Sequence, residues 1–226
     1  MQSTLTRRTI MATIGTVTAL ASPLVMAHLG ADGAPHGHDH GALASLINGA
    51  LHPLTGLDHL AAMVSVGTWS ALSLPSATTE VSKTSRLKTL LAAPAAFAAT
   101  LLLGALAGMA GLHLPGVEPM IAASLLVLGL LVATRLRLSA GLGAALVAMF
   151  ALFHGLAHGN ELGGHAAAAL AGMVLSTAAL HGLGMAIGLK LHSPARAPQR
   201  WLSRAAGAGV ALLGLTMLTP AMAAAL

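Results

Sequence analysis

A chain of 226 residues that is 56% hydrophobic and 8% charged, with a mean hydropathy of +0.82, has too few polar side chains to clothe a soluble domain and is read as an integral membrane protein. With no cysteine, disulfides, thiolate metal ligands and thiol nucleophiles are excluded, and 12 histidines against 6 acids leave imidazole as the dominant side-chain chemistry. The 11 Lys and Arg residues form no aromatic-flanked basic stripe, so no nucleic-acid partner is expected and the net charge of +5 is assigned to membrane topology.

The N-terminus, MQSTLTRRTIMATIGTVTALASPLVMA, has a basic start at Arg7 and Arg8, a modest apolar stretch, a break at Pro23 and a small residue at Ala27. That pattern predicts a secretory signal peptide over residues 1–27, cleaved after Ala27; an uncleaved anchor is the alternative, and either one starts the mature chain outside the cytoplasm. Residues 28–42, HLGADGAPHGHDHGA, lack apolar periodicity and are expected to be an exposed His-rich segment. His28, His36, His38 and His40 there either capture metal by mass action or belong to a solvated tail.

Residues 43–226 are expected to form one membrane domain: an all-α polytopic membrane helix bundle of about six transmembrane helices, at about 54–74, 88–111, 117–134, 140–159, 165–189 and 205–225. The connections leave no room for a soluble domain, and no GxxxxGK[ST] motif marks a nucleotide site or an ATPase partner. Starting outside places the loops 75–87, 135–139 and 190–204 inside. These loops and their margins hold Lys83, Arg86, Lys88, Arg135, Arg137, Lys190, Arg196, Arg200 and Arg204, every Lys and Arg after the signal. Both ends of the mature chain are therefore predicted to lie outside the cytoplasm. Trp69 and Trp201 fall where inner-interface belt residues belong, Pro94 is expected to kink the second span, and the pairs Gly104/Gly108, Gly155/Gly159 and Gly184/Gly188 have the spacing of close helix contacts.

On this topology Asp32, Asp39, Asp58, Glu118 and Glu161 collect at the outer face and only Glu80 lies inside. The first polar cluster is HPLTGLDH, containing His52, Asp58 and His59. In a continuous helix the two histidines would share a face about 10 Å apart along the axis, but Pro53 and Gly56 predict a break that folds His52 back toward the other two. An aspartate in a lipid-embedded helix end costs up to about 2.5–3.5 kcal/mol, which a bound cation or an imidazole hydrogen bond would offset. The second cluster is FHGLAHGNE, at the outer end of the fourth span. Its i, i+4, i+7 spacing puts His154, His158 and Glu161 within an arc of about 60° on one helix face, the logic by which HExxH helices hold zinc. The two clusters are read as a divalent-metal site, with a hydrogen-bonded network joining the first and fourth spans as the alternative.

Both motifs, His-x5-Asp-His and FHG-x-AHG-x-E, are complete as written and resemble the signatures of the HupE/UreJ family of nickel and cobalt permeases. The resemblance extends over essentially the whole chain. It implies secondary transport of Ni²⁺, possibly Co²⁺, from periplasm to cytoplasm, with His52, Asp58, His59, His154, His158 and Glu161 as the metal positions and no prosthetic group. Without it, imidazole plus carboxylate admits Ni²⁺, Co²⁺, Zn²⁺ or Cu²⁺ alike. His181, about 24 Å below the outer end of the fifth span with Thr177 a turn above, is either an exit relay or a buried histidine bonded to a helix carbonyl. His165 and Glu118 are read as interfacial polarity, His113 and His192 as loop residues, and the 11 methionines as packing. The competing function is an intramembrane zinc hydrolase with a carboxylate as general base, which would need an oxyanion donor that no Ser, Lys or Tyr beside the motifs supplies.

Overall fold

The structure, a computed structural model, describes residues 41–75, 79–162, 165–192 and 197–224. The predicted signal peptide, the His-rich segment with its four histidines, and Arg196 lie outside the described residues. Seven helices and no strands occur among the described residues: α1 (Ala42–Thr55), α2 (Leu57–Leu72), α3 (Lys83–Met109), α4 (Val117–Thr134), α5 (Ala140–Glu161), α6 (Ala166–Leu191) and α7 (Ala197–Ala224).

Local chemistry sets several of these boundaries. Ser82 and Ser139 begin α3 and α5 as N-caps, their hydroxyls accepting from the Ser85 and Leu142 amides. The turn from α3 to α4 passes through Gly111 and Gly116 at φ 90° and 77°, backbone positions that disfavour a Cβ. Pro94 does not interrupt α3, which runs through it.

Among the described residues, five helices are long and apolar enough to cross a membrane: α3, α4, α5, α6 and residues Pro198–Pro220 of α7. Their outward faces carry exposed leucines such as Leu103, Leu175 and Leu212, at 63%, 63% and 60% exposure, as lipid contact requires. The predicted first span differs. The helix expected over about 54–74 is α2, shorter at both ends, and a further helix, α1, precedes it across Gly56. The 16 residues of α2 cover roughly 24 Å, and 12 of them are buried, so α2 is wrapped by protein rather than lipid. That enclosure explains how a membrane-embedded helix tolerates Asp58, His59, Ser65, Thr68 and Ser70.

The helices pack in close pairs: α3 on α5, α4 on α7, and both α1 and α2 on α6. Glycine makes those approaches possible. Gly104 and Gly108 of α3 face Gly155 and Gly159 of α5, and a Cβ at Gly155 would run into the Leu101 carbonyl. Gly184 and Gly188 of α6 receive the backbone of α2 near Val64 and Thr68, and the Thr68 hydroxyl donates to the Gly184 carbonyl at 3.1 Å. All three predicted glycine pairs therefore sit at helix contacts. Met63, Val66, Phe97, Leu101 and Leu125 fill the core between the pairs.

Trp69 departs from its predicted place in the interfacial belt. It is 3% exposed, with its indole N–H donating to the Leu136 carbonyl at 2.8 Å and its ring against Gly143, so it ties α2 to the α4–α5 turn. An indole that finds a hydrogen-bond acceptor inside the bundle gains more from burial than from the headgroup layer. Trp201, by contrast, is 68% exposed. Trp69→Phe should lose the hydrogen bond and part of the packing, about 1–3 kcal/mol in all, lowering the unfolding temperature in detergent by about 2–4 °C per kcal/mol. An unchanged melting curve would show that Trp69 holds nothing.

Candidate metal site

The break at Gly56 builds the first half of the site. In the last turn of α1 the Thr55 hydroxyl and the Gly56 amide both donate to the His52 carbonyl, at 3.0 and 3.2 Å. Gly56 then turns extended at φ −81° and ψ 113°, and α2 restarts with Asp58 and His59 in its first turn. Pro53, expected to share in the break, instead lies inside α1, where its ring is buried. The kink therefore belongs to Gly56, whose missing side chain leaves room: a Cβ there would lie 3.0 Å from both Asp58 Oδ1 and His59 Nδ1. The N-terminus of α2 also favours an anionic side chain at position 58 through its dipole.

The second half comes from α5. With Gly155 and Gly159 pressed on α3, His154 and His158 take the neighbouring face and meet the α1–α2 junction. Ring centroids lie 4.5 Å apart for His59 and His158, 4.8 Å for His52 and His158, and 5.5 Å for both His52–His59 and His59–His154. Ligand-capable atoms of His52, His59 and His158 all fall within 4.8 Å of one another. A metal bonded to imidazole at about 2.0–2.1 Å needs only a modest contraction of that triangle.

Hydrogen bonds orient the rings. His59 Nδ1 lies 2.9 Å from Asp58 Oδ1 and His154 Nδ1 lies 3.2 Å from the Phe150 carbonyl. Both oxygens are acceptors, so each Nδ1 carries the proton and each Nε2 presents its lone pair, the arrangement by which a carboxylate or carbonyl behind a histidine prepares it to ligate metal. Asp58, His59, His154 and His158 are 0–3% exposed, whereas His52 is half-buried and Glu161 exposed. A cavity of about 250 Å³ lies against this cluster, lined by Ser45, Asn48, His52, His158, Glu161 and Met173 among others.

Five of the six motif residues thus meet, and the sixth, Glu161, lines the adjoining cavity with His52 and His158. His181 does not join them: it lies on α6, 2% exposed, with its ring 5.1 Å from that of Phe97, which in turn stands 5.7 Å from His154. His181 Nε2 and the buried Thr177 hydroxyl have no hydrogen-bond partner among the described residues. Glu118 and His165 are exposed at the starts of α4 and α6 and do not line the cavity. His113 lies in the exposed α3–α4 turn, while His192, expected in a loop, is the C-cap of α6.

Sequence reasoning missed Ser45, Asn48 and Phe97. The first two sit on α1, whose apolar residues Leu43, Leu46, Ile47, Ala50, Leu51 and Leu54 recur at helical spacing and were the available signal. Phe97 is apolar in an apolar helix, and nothing local distinguishes it. Although no Ser, Lys or Tyr stands beside the motifs in sequence, the fold brings Ser45, with Asn48, to the cavity that Glu161 also lines.

Compared with known proteins, the chain matches the family described as HupE / UreJ protein over residues 16–217. It is 37% identical to Protein HupE of Rhizobium leguminosarum bv. viciae over 206 residues, covering 90% of this chain and 95% of the relative. No solved structure matches it.

Proposed function

The chain belongs to the HupE/UreJ family, a family of nickel and cobalt transporters, and from that premise we propose that it is a permease carrying Ni²⁺ from the periplasm to the cytoplasm across the bacterial inner membrane. The observation that carries this reading is the meeting of His52, His59 and His158, with ligand atoms within 4.8 Å of one another and Asp58 behind His59. Glu161 and the half-buried His52 receive the hydrated ion at the cavity, and the buried imidazoles replace its water. Neutral nitrogen ligands with a single close carboxylate bind without overcharging the site, so the ion is able to leave, as conduction requires. His154 hands it past Phe97 to His181 and Thr177, the polar pair deeper in the bundle. The His-rich N-terminal segment, with His28, His36, His38 and His40, concentrates metal at the mouth. The membrane potential supplies the drive, about 2.3 kcal/mol per elementary charge per 100 mV.

Purified protein in liposomes loaded with a metal-sensitive dye should give Ni²⁺ influx above that of protein-free vesicles, faster with an inside-negative potential. Influx equal to that of empty vesicles ends the proposal. The placement of Ser45 and Asn48 beside Glu161 favours one second reading, metal-dependent hydrolysis, since an amide and a hydroxyl stabilise a developing oxyanion. Lipid or peptide turnover by metal-loaded protein, lost in Glu161→Gln while metal flux persists, would decide for it.

A further inference from the structure

The opposite end of the bundle carries a second cavity, of about 350 Å³, lined by Leu72, Thr134, Arg135, Arg137, His192, Arg200 and Arg204. Four arginines from two separate segments line it, and no carboxylate lines it among the described residues. Membrane topology accounts for positive charge at this end but treats Lys and Arg alike. Lys83, Lys88 and Lys190 lie at the same end with Arg86; no lysine lines the cavity, whereas four of the five described arginines do. A guanidinium presents a planar fork that pairs two phosphate oxygens, which an ammonium does not, so the sorting of Arg into the cavity is the mark of an oxyanion.

Helix ends do not neutralise the cluster. Here α2, α4 and α6 end while α3, α5 and α7 begin, so their terminal partial charges largely cancel. Arg135 caps the α4 C-terminus with a left-handed backbone at φ 56°, the sole non-glycine residue with positive φ among the described residues, and its guanidinium donates to the Leu191 carbonyl at the end of α6. Burial, then the charges of Arg200 and Arg137, hold this guanidinium below its ordinary pKa. Arg200 and Arg204 are one turn apart on α7, both exposed. Around them Leu136, Trp201 and Leu202 expose apolar surface at 53%, 68% and 50%. That combination matches an amphiphile at the membrane interface.

We propose that this cavity binds the phosphate of an anionic phospholipid headgroup, gripped by Arg135, Arg137, Arg200 and Arg204, with the acyl chains along the neighbouring apolar surface. The site lies apart from the histidine cluster and stands whether or not the chain carries nickel.

The test uses full-length protein in a neutral detergent, titrated with phosphatidylglycerol, phosphatidylcholine or inorganic phosphate, with native mass spectrometry and thermal unfolding as readouts. Phosphatidylglycerol should remain bound and raise the unfolding temperature, while phosphatidylcholine does neither. Arg200→Gln with Arg204→Gln should weaken phosphatidylglycerol binding at least tenfold, whereas Lys83→Gln with Lys88→Gln, which removes equal charge from the same end, should leave it within twofold. Equal retention of the two lipids by the wild-type protein, a result that needs no variant to fold, overturns the proposal. An equal loss in the lysine variant does so too, since diffuse charge then suffices. Stabilisation by inorganic phosphate matching that by phosphatidylglycerol assigns the site to a free anion and overturns the lipid reading.

Discussion

His158→Ala should reduce Ni²⁺ uptake by cells to the level of the empty vector, and Asp58→Asn should reduce it by about 10–100-fold, at matched membrane abundance. The two losses have different causes. His158 is the common neighbour of His52 and His59, at ring distances of 4.8 and 4.5 Å, so truncating it removes a ligand and separates the two halves of the site. Asparagine at 58 keeps the shape and one acceptor oxygen for the His59 N–H but loses the negative charge, making Nε2 of His59 a weaker ligand. Calorimetry with purified protein should follow the same order, with no detectable high-affinity binding in His158→Ala and weakened binding in Asp58→Asn. Wild-type uptake in both variants would remove the histidine cluster from the pathway.

Gly155→Val should prevent the bundle from assembling. A Cβ at this position would strike the Leu101 carbonyl and lie 2.8 Å from the Ala105 amide nitrogen and 2.9 Å from the Gly104 Cα. All three are backbone atoms, which do not yield by changing rotamer, so α3 and α5 would have to move apart along their closest contact. Overpacking of this kind costs about 1–3 kcal/mol when side chains can yield, and more when they cannot. His154 and His158 flank the contact, so the metal site would be lost with it. The expected result is an aggregated or scarcely detectable protein after detergent extraction. Gly141→Ala is the matched control, because no atom lies within 4 Å of its added Cβ and alanine is the better helix former by about 1 kcal/mol. A monodisperse Gly155→Val protein with wild-type metal binding would show that α3 and α5 do not meet there.

Much of this molecule was legible from local pattern. Long apolar runs predicted α3 through α7, the i, i+4, i+7 spacing put His154, His158 and Glu161 on one face of α5, and the glycine pairs marked where helices approach. Each of those features depends on neighbours within a few turns. What the pattern did not give was α1 itself, and of the two break signals three residues apart only Gly56 ends a helix, because a proline in a helix kinks it or passes depending on what surrounds it. Trp69 was misplaced for a related reason: the same indole suits the interface and the interior, and the Leu136 carbonyl that captures it is 67 residues away.

The sequence by itself determined a membrane-embedded helical chain, the imidazole and carboxylate chemistry of its two motifs, and the sorting of basic residues to one end. Only the tertiary structure decided that α1 is a separate helix, that the two motifs meet, that the Phe97 ring contacts both His154 and His181, and that arginines rather than lysines line the far cavity. The reason is physical. Hydropathy and helical period are properties of a single helix in its solvent, whereas the faces of Leu- and Ala-rich helices are nearly interchangeable. Which of them touch is settled by close backbone packing at glycines and by the polar groups that must find one another out of contact with lipid.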